Sequence, residues 1–128
     1  MFRFGRNQLA AGRRTLTPPW ASTQRPDTLR PLVSVVLPIY NHAGFLAESL
    51  SSILVENELP LEVIVVDDGS TDSPQTVLDK VRDPRLRTVR QVNLGLASAL
   101  NTGFALAGGS FLTWTSADNV YLRGALRR

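Results

Sequence analysis

The stretch Leu61-Glu62-Val63-Ile64-Val65-Val66-Asp67-Asp68-Gly69-Ser70 leaves this chain few folds to choose from. A run so rich in β-branched residues predicts a strand buried on both faces, and such strands belong to parallel sheets covered by helices on both sides. The strand ends in two carboxylates and a glycine turn. In an open α/β sheet, ligands bind beyond the carboxyl ends of the strands. The two acids therefore stand where a ligand would sit, not where a core would.

The rest of the chain agrees with that reading. Leu32–Leu37 is a short β-rich run stopped by Pro38, and apolar residues at helical spacing predict a helix from Gly44 to about Val55. Ser70-Thr71-Asp72-Ser73 offers N-cap residue types before a short helix with Pro74 in its first turn, and Asp83-Pro84 ends that helix. Leu86–Val89 is a weak third strand, Leu96–Ala107 an alanine- and leucine-rich helix stopped by Gly108-Gly109, and Ser110–Thr115 a fourth strand. Alternation of this kind predicts an α/β fold: a Rossmann-like, mostly parallel sheet of strand order 3-2-1-4 with helices on both faces. The loops after the first, second and fourth strands then meet at one edge, bringing Pro38–His42, Asp67–Ser70 and Ser116–Asn119 together. Trp114 is expected to pack against a helix, and His42 to be an ordinary loop residue.

Charge divides the chain in two. Residues 1–30 carry six arginines and one acid, whereas residues 31–128 carry 8 Lys/Arg and 10 acids. The net of +3 thus belongs to the first segment, which lacks any sustained period and reads as a disordered basic leader; a targeting segment is the alternative. Residues 31–128 form the single domain. That domain has no basic face interleaved with aromatics, so no nucleic-acid partner is expected. No apolar run approaches the roughly 18 residues needed to span a bilayer. The absence of cysteine fits a reducing compartment, so the expected location is cytoplasmic, or peripheral at a membrane surface.

The converging patches favour some chemistries over others. Dinucleotide binding needs Gly-x-Gly-x-x-Gly after the first strand, but Pro38-Ile39-Tyr40-Asn41-His42-Ala43-Gly44 has one glycine. No Gly-Lys-Ser/Thr phosphate loop occurs either. An aromatic ring beside carboxylates suits stacking on a base, hydrogen bonds to base or ribose, and a divalent metal to neutralise phosphates. Each residue also has a structural reading: Tyr40 as a cap on the sheet edge, Asp67 and Asp68 as turn-forming acids, Asp118-Asn119 as helix-capping residues.

Val33 to Asn41, followed by Val65-Val66-Asp67-Asp68-Gly69-Ser70-Thr71-Asp72, resembles the opening of family 2 glycosyltransferases, GT-A-fold enzymes that use nucleotide-diphosphate sugars. Asn93-Leu94-Gly95 and Ala99-Leu100-Asn101-Thr102-Gly103 resemble the Asn-x-Gly and Ala-x-Asn-x-Gly segment of that family. Ser116-Ala117-Asp118 falls at its Asp-x-Asp metal motif. The resemblance implies that Tyr40 stacks on the nucleobase with Pro38 shaping the same wall. It implies that Asp68 accepts a hydrogen bond from the base, with Asp67 turned toward the loops or ribose, and that Ser116 contacts ribose or a metal-bound water. It implies that Asp118 binds Mg²⁺ or Mn²⁺ bridging the diphosphate, and that Asn93 and Asn101 lie near the donor pocket. The implied partner is a nucleotide-diphosphate sugar, a UDP-sugar being the commonest in the family, with transfer to a hydroxyl acceptor.

Two departures accompany the match. Ser116 replaces the first acid of Asp-x-Asp, and Leu100 stands where the family commonly has arginine. Residues 119–128 also contain no Asp or Glu to serve as the general base for an acceptor hydroxyl. The chain therefore reads as the donor-binding half of such an enzyme, lacking the acceptor half, with a non-catalytic module of the same fold as the alternative. On this reading the fourth strand is left as an apolar edge.

Overall fold

The computed structural model describes residues 2–3, 30–56, 58–122 and 124–127. Strands are β1 (Phe2–Arg3), β2 (Val33–Ile39), β3 (Leu61–Asp67), β4 (Leu86–Arg90) and β5 (Phe111–Trp114). Helices are α1 (Ala43–Leu54), α2 (Pro74–Leu78) and α3 (Leu96–Leu106), and a 3-10 turn follows at Ala125–Arg127. The sheet runs β1-β5-β2-β3-β4, with β5, β2, β3 and β4 mutually parallel. That is the expected 3-2-1-4 order with one strand added. Apart from Phe2 and Arg3, the segment read as a disordered leader lies outside the described residues up to Arg30. Those two residues pair antiparallel with β5, Phe2 opposite Leu112 and Arg3 opposite Phe111, so the edge expected to be bare has a partner.

Strand alternation sorts the core into two layers. Val33, Val35, Leu37 and Ile39 of β2, with Leu61, Val63 and Val65 of β3, pack against Leu46, Leu50 and Ile53 of α1 and Leu78 of α2. The intervening residues Val36, Ile64 and Val66 face α3, where Ala99 and Phe104 cover them. Strands β2 and β3 are buried along their whole length. Burying a Val, Leu or Ile side chain is worth roughly 1.5–3 kcal/mol, so these two strands dominate the core.

Pro38 does not stop β2; it lies inside the strand, opposite Val66 of β3. The reason is directional. Val36 C=O faces β5 and accepts from Thr115 N–H at 3.1 Å, whereas Ile39 C=O faces β3 and accepts from Asp68 N–H at 2.9 Å. Pro38, two residues beyond Val36, turns its nitrogen toward the β5 side, where β5 has already ended at Trp114. No ladder bond is lost there, so proline is tolerated. Trp114 also departs from expectation, being 41% exposed. Its register partner Val36 faces α3, but α3 packs on β2 and β3 rather than on β5. The indole is left on the uncovered end of that face.

Polar groups buried at the opposite end of the sheet hold the crossover into β5. Glu62, 2% exposed, accepts from Ser34 Oγ at 2.7 Å and Gly108 N–H at 2.6 Å, and Arg87 lies 3.5 Å from its other oxygen. A buried carboxylate persists when donors surround it in this way. The carboxyl end of α1 has a comparable anchor, because the Arg85 guanidinium bonds the carbonyls of Leu54 and Glu56 while pairing with Asp83 at 2.9 Å. A cation satisfying terminal helix carbonyls also complements the helix dipole.

Gly103 brings α3 close to the sheet. A Cβ there would lie 2.3 Å from Val36 Cγ1 and 2.9 Å from Cγ2. Helix propensity alone would favour alanine by about 1 kcal/mol, but overpacking a stiff, buried valine costs roughly 1–3 kcal/mol, occasionally more. At this approach the clash outweighs the propensity. Gly103→Ala is expected to lower the urea midpoint, for a net loss of about 1–2 kcal/mol; a midpoint at or above the parent's would refute the close contact.

Candidate functional site

The loops after β2, β3 and β4 at the carboxyl end of the sheet are tied to one another. Asn41 adopts a left-handed φ of 56°, a conformation asparagine tolerates better than most residues. Its N–H donates to Ser70 Oγ at 3.0 Å, and its side-chain carbonyl accepts from Thr71 N–H at 2.8 Å. Asp72 Oδ2 accepts from Ala43 N–H at 2.9 Å, placing a carboxylate on the first turn of α1. Negative charge there is favourable. Sequence had assigned Ser70-Thr71-Asp72-Ser73 to capping α2, yet Ser73 at that position is left-handed, with φ 58°, and makes no side-chain cap bond. Ser70, Thr71 and Asp72 instead reach back to the loop after β2.

Asp67, the last residue of β3, and Asp68, directly after it, diverge as alternation along an extended chain requires. Asp67 Oδ1 accepts from Ser70 N–H at 2.8 Å, closing the turn, and Oδ2 pairs with Arg90 at 3.1 Å. Arg90 also donates to Ser70 C=O at 3.0 Å. Asp68, 5% exposed, turns the other way into the loop between β4 and α3. It accepts from Gln91 Nε2 at 2.8 Å, Leu94 N–H at 2.9 Å and Gly95 N–H at 2.9 Å. Burial pushes this carboxyl up, but the bonds from Leu94, Gln91 and Gly95 outweigh it and hold the pKa below its ordinary value. Asp68 therefore stays ionised while anchoring the next loop. Gly69, with φ 80°, lets that loop approach: a Cβ there would lie 2.8 Å from Asn93 N.

After β5, Ala117 is buried while Ser116 is half-buried and Asp118 exposed. Asn119 N–H returns to Ser116 C=O at 3.0 Å, so the segment is a tight turn with Ala117 as its root. The Ser116 side chain holds the Asp118 pKa below its ordinary value, and the nearby His42 lowers it further. The serine in place of the first motif acid thus favours the ionised form of the remaining carboxylate. His42 is half-buried, with a buried Nδ1 that has no hydrogen-bond partner.

Of the residues picked out by sequence, Tyr40 is 47% exposed directly after β2, and Pro38 is buried in the strand before it. Asp68 donates its N–H to the carbonyl of Ile39, Tyr40's neighbour. Loop-to-loop bonds and the influence of His42 on Asp118 place Tyr40, Asp67, Asp68, Ser116 and Asp118 at one end of the sheet. Asn93 and Asn101 are exposed, Asn93 against Gly69. Gln91, Arg90 and Asp72 were missed. Only tertiary contacts give them roles, and no local spacing announces them.

Among the described residues, no cluster of three His, Cys, Asp or Glu could hold a metal by itself. One exposed, ionised carboxylate fits a different arrangement, in which Mg²⁺ or Mn²⁺ takes one or two protein carboxylates and completes its shell with substrate phosphates and water. Asp118 meets that requirement. No helix among the described residues is long and apolar enough to cross a membrane.

Known proteins share this fold. The chain is 32% identical over 99 residues to an uncharacterized glycosyltransferase of Nostoc sp., covering 75% of this chain and 31% of that protein. It is similar to the mannosyltransferase PcManGT of Pyrobaculum calidifontis, solved with GDP-Man and Mn²⁺: TM-score 0.69, 32% identity, covering 84% of this chain and 34% of that one. It is also similar to residues 1–349 of S. aureus TarS in complex with UDP-GlcNAc: TM-score 0.68, 30% identity, covering 74% and 29% of the two chains. The chain thus spans about a third of the length of such proteins. The family model for glycosyl transferase family 2 matches residues 34–128. With a parallel 3-2-1-4 sheet, acids at its carboxyl end and that match, the chain belongs to glycosyl transferase family 2 and has the GT-A fold.

Proposed function

We propose that this chain is the donor-binding half of a glycosyltransferase, taking a nucleotide-diphosphate sugar together with Mg²⁺ or Mn²⁺ for transfer to a hydroxyl acceptor. The observation that carries the reading is the set of loops at the carboxyl end of the sheet, which hold an exposed tyrosine, a buried ionised aspartate and an exposed ionised aspartate. Tyr40 stacks on the base against the wall begun by Pro38. Asp68 accepts from the base edge, and Asp67 with Arg90 holds the turn that carries it. Asp118, kept ionised with the help of Ser116, is the metal-binding carboxylate, and the cation would supply neutralisation of the diphosphate leaving group. Relatives of this fold bind GDP-Man with Mn²⁺ or UDP-GlcNAc, which supports the class of donor.

Thermal unfolding with nucleotide tests the reading. UDP with Mn²⁺ is expected to raise the Tm of the 128-residue chain, and Asp118→Ala to weaken Mn²⁺-dependent UDP binding by about tenfold or more. Asp118 is exposed, so the variant is expected to keep the parent Tm without ligand. A nucleotide effect that Mn²⁺ leaves untouched would remove Asp118 from the site. No effect from any nucleotide would make the chain a non-catalytic module of the same fold.

A further inference from the structure

The acceptor capacity of Asp68 is mostly used inside the protein. Oδ1 takes two donors, Gln91 Nε2 at 2.8 Å and Leu94 N–H at 2.9 Å. Oδ2 takes one, Gly95 N–H at 2.9 Å. An ionised carboxylate has about four acceptor positions, two on each oxygen, so a single position on Oδ2 remains. The Gln91 amide is fixed in its orientation. Its Nε2 also reaches Ser98 Oγ at 3.3 Å, and its Oε1 accepts from Thr102 Oγ1 at 2.7 Å. Ser98 and Thr102 lie one turn apart on α3 and grip the amide from the same helix face.

Nucleobases differ in what they offer a carboxylate. The Watson–Crick edge of guanine presents two adjacent N–H donors, which both oxygens of a carboxylate would receive. Uracil presents one ring N–H flanked by two carbonyls. Cytosine and adenine set an unprotonated ring nitrogen beside the amino group, and its lone pair would face the carboxylate charge. With Oδ1 filled, a guanine would bury one N–H without a partner, a penalty that a protein site does not recover. Resting on the nucleotide-sugar reading above, we infer that Gln91 is a specificity-determining residue: by occupying Oδ1 of Asp68 it restricts the site to a base with one ring N–H, uracil or its 5-methyl analogue. The likeness to solved structures leaves this open, since one of them holds GDP-Man and another UDP-GlcNAc.

Calorimetric titration of the 128-residue chain with UDP and with GDP, each with Mn²⁺, decides it. The parent chain is expected to prefer UDP by about tenfold or more, the cost of one unpaired buried N–H. Gln91→Met keeps the length of the side chain and frees one of the two positions on Oδ1, Leu94 N–H keeping the other, so GDP binding is expected to tighten and the UDP/GDP ratio to fall several-fold. Thr102→Val leaves Gln91 in place but releases its Oε1, and is expected to move the ratio the same way by less. If Gln91→Met does not fold, the Thr102→Val ratio decides. Equal affinities in the parent, or a ratio unmoved by these substitutions, overturns the role of Gln91 and leaves nucleotide binding standing. Binding of neither nucleotide by the parent overturns both readings.

Discussion

Asp68→Ala is expected to cost the chain about 3 kcal/mol or more in urea unfolding at pH 7. The substitution removes no large apolar surface. It leaves Leu94 N–H, Gly95 N–H and the Gln91 amide without the acceptor they share. Bonds to a charged group are each worth roughly 1.5–3 kcal/mol, and the orphaned donors add a desolvation cost. The pH dependence has a defined sign. The folded pKa of Asp68 lies below its ordinary value of 3.8, so its contribution is present above that value and is lost as pH falls through the folded one. The stability gap between parent and variant should therefore be full at neutral pH and narrow below about pH 4. A gap independent of acidification, or no gap at pH 7, would mean that the carboxylate does not hold the loop.

Gly69→Ala is expected to produce a loss of similar size by a different route. At φ 80° a side chain costs roughly 1–2 kcal/mol in backbone strain alone. The added Cβ would also meet Asn93 N at 2.8 Å and Asn93 Cβ at 3.2 Å. The first of these is backbone and cannot swing aside, so the loop must retreat, drawing Leu94 and Gly95 away from Asp68. A total loss of about 3 kcal/mol follows. The informative readout is amide hydrogen exchange, with Leu94 and Gly95 expected to lose protection well before residues of β3. Parent-like protection of those two amides in the variant would show that the glycine is not needed for the approach.

These two residues also show what could be read from sequence. The parallel order of the four main strands followed from alternating periodicity, because each apolar pattern reports which faces its element must bury. Asp67 and Asp68 stood out because acids at the end of a buried strand are anomalous as core. Polar contacts between distant segments were not legible. Ser70, Thr71 and Asp72 have the composition of an N-cap, yet they serve the loop after β2, 29 to 30 positions away in sequence. Glu62 sits within an apolar run, and its burial makes sense only once Ser34, Gly108 and Arg87 are seen around it. Pro38 misled because a proline signals a strand end only where its missing donor would have had a partner.

The pairing of β1 with β5 gives the far edge of the parallel strands an antiparallel cover. Arg3 lies opposite Phe111, and Phe111 lies opposite Val33. Arg3 and Val33 thus stand at the same rim of the sheet, the one remote from the acids. A chain begun at Pro31 would lose the strand that shields Phe111–Leu112 from edge-on association with other chains.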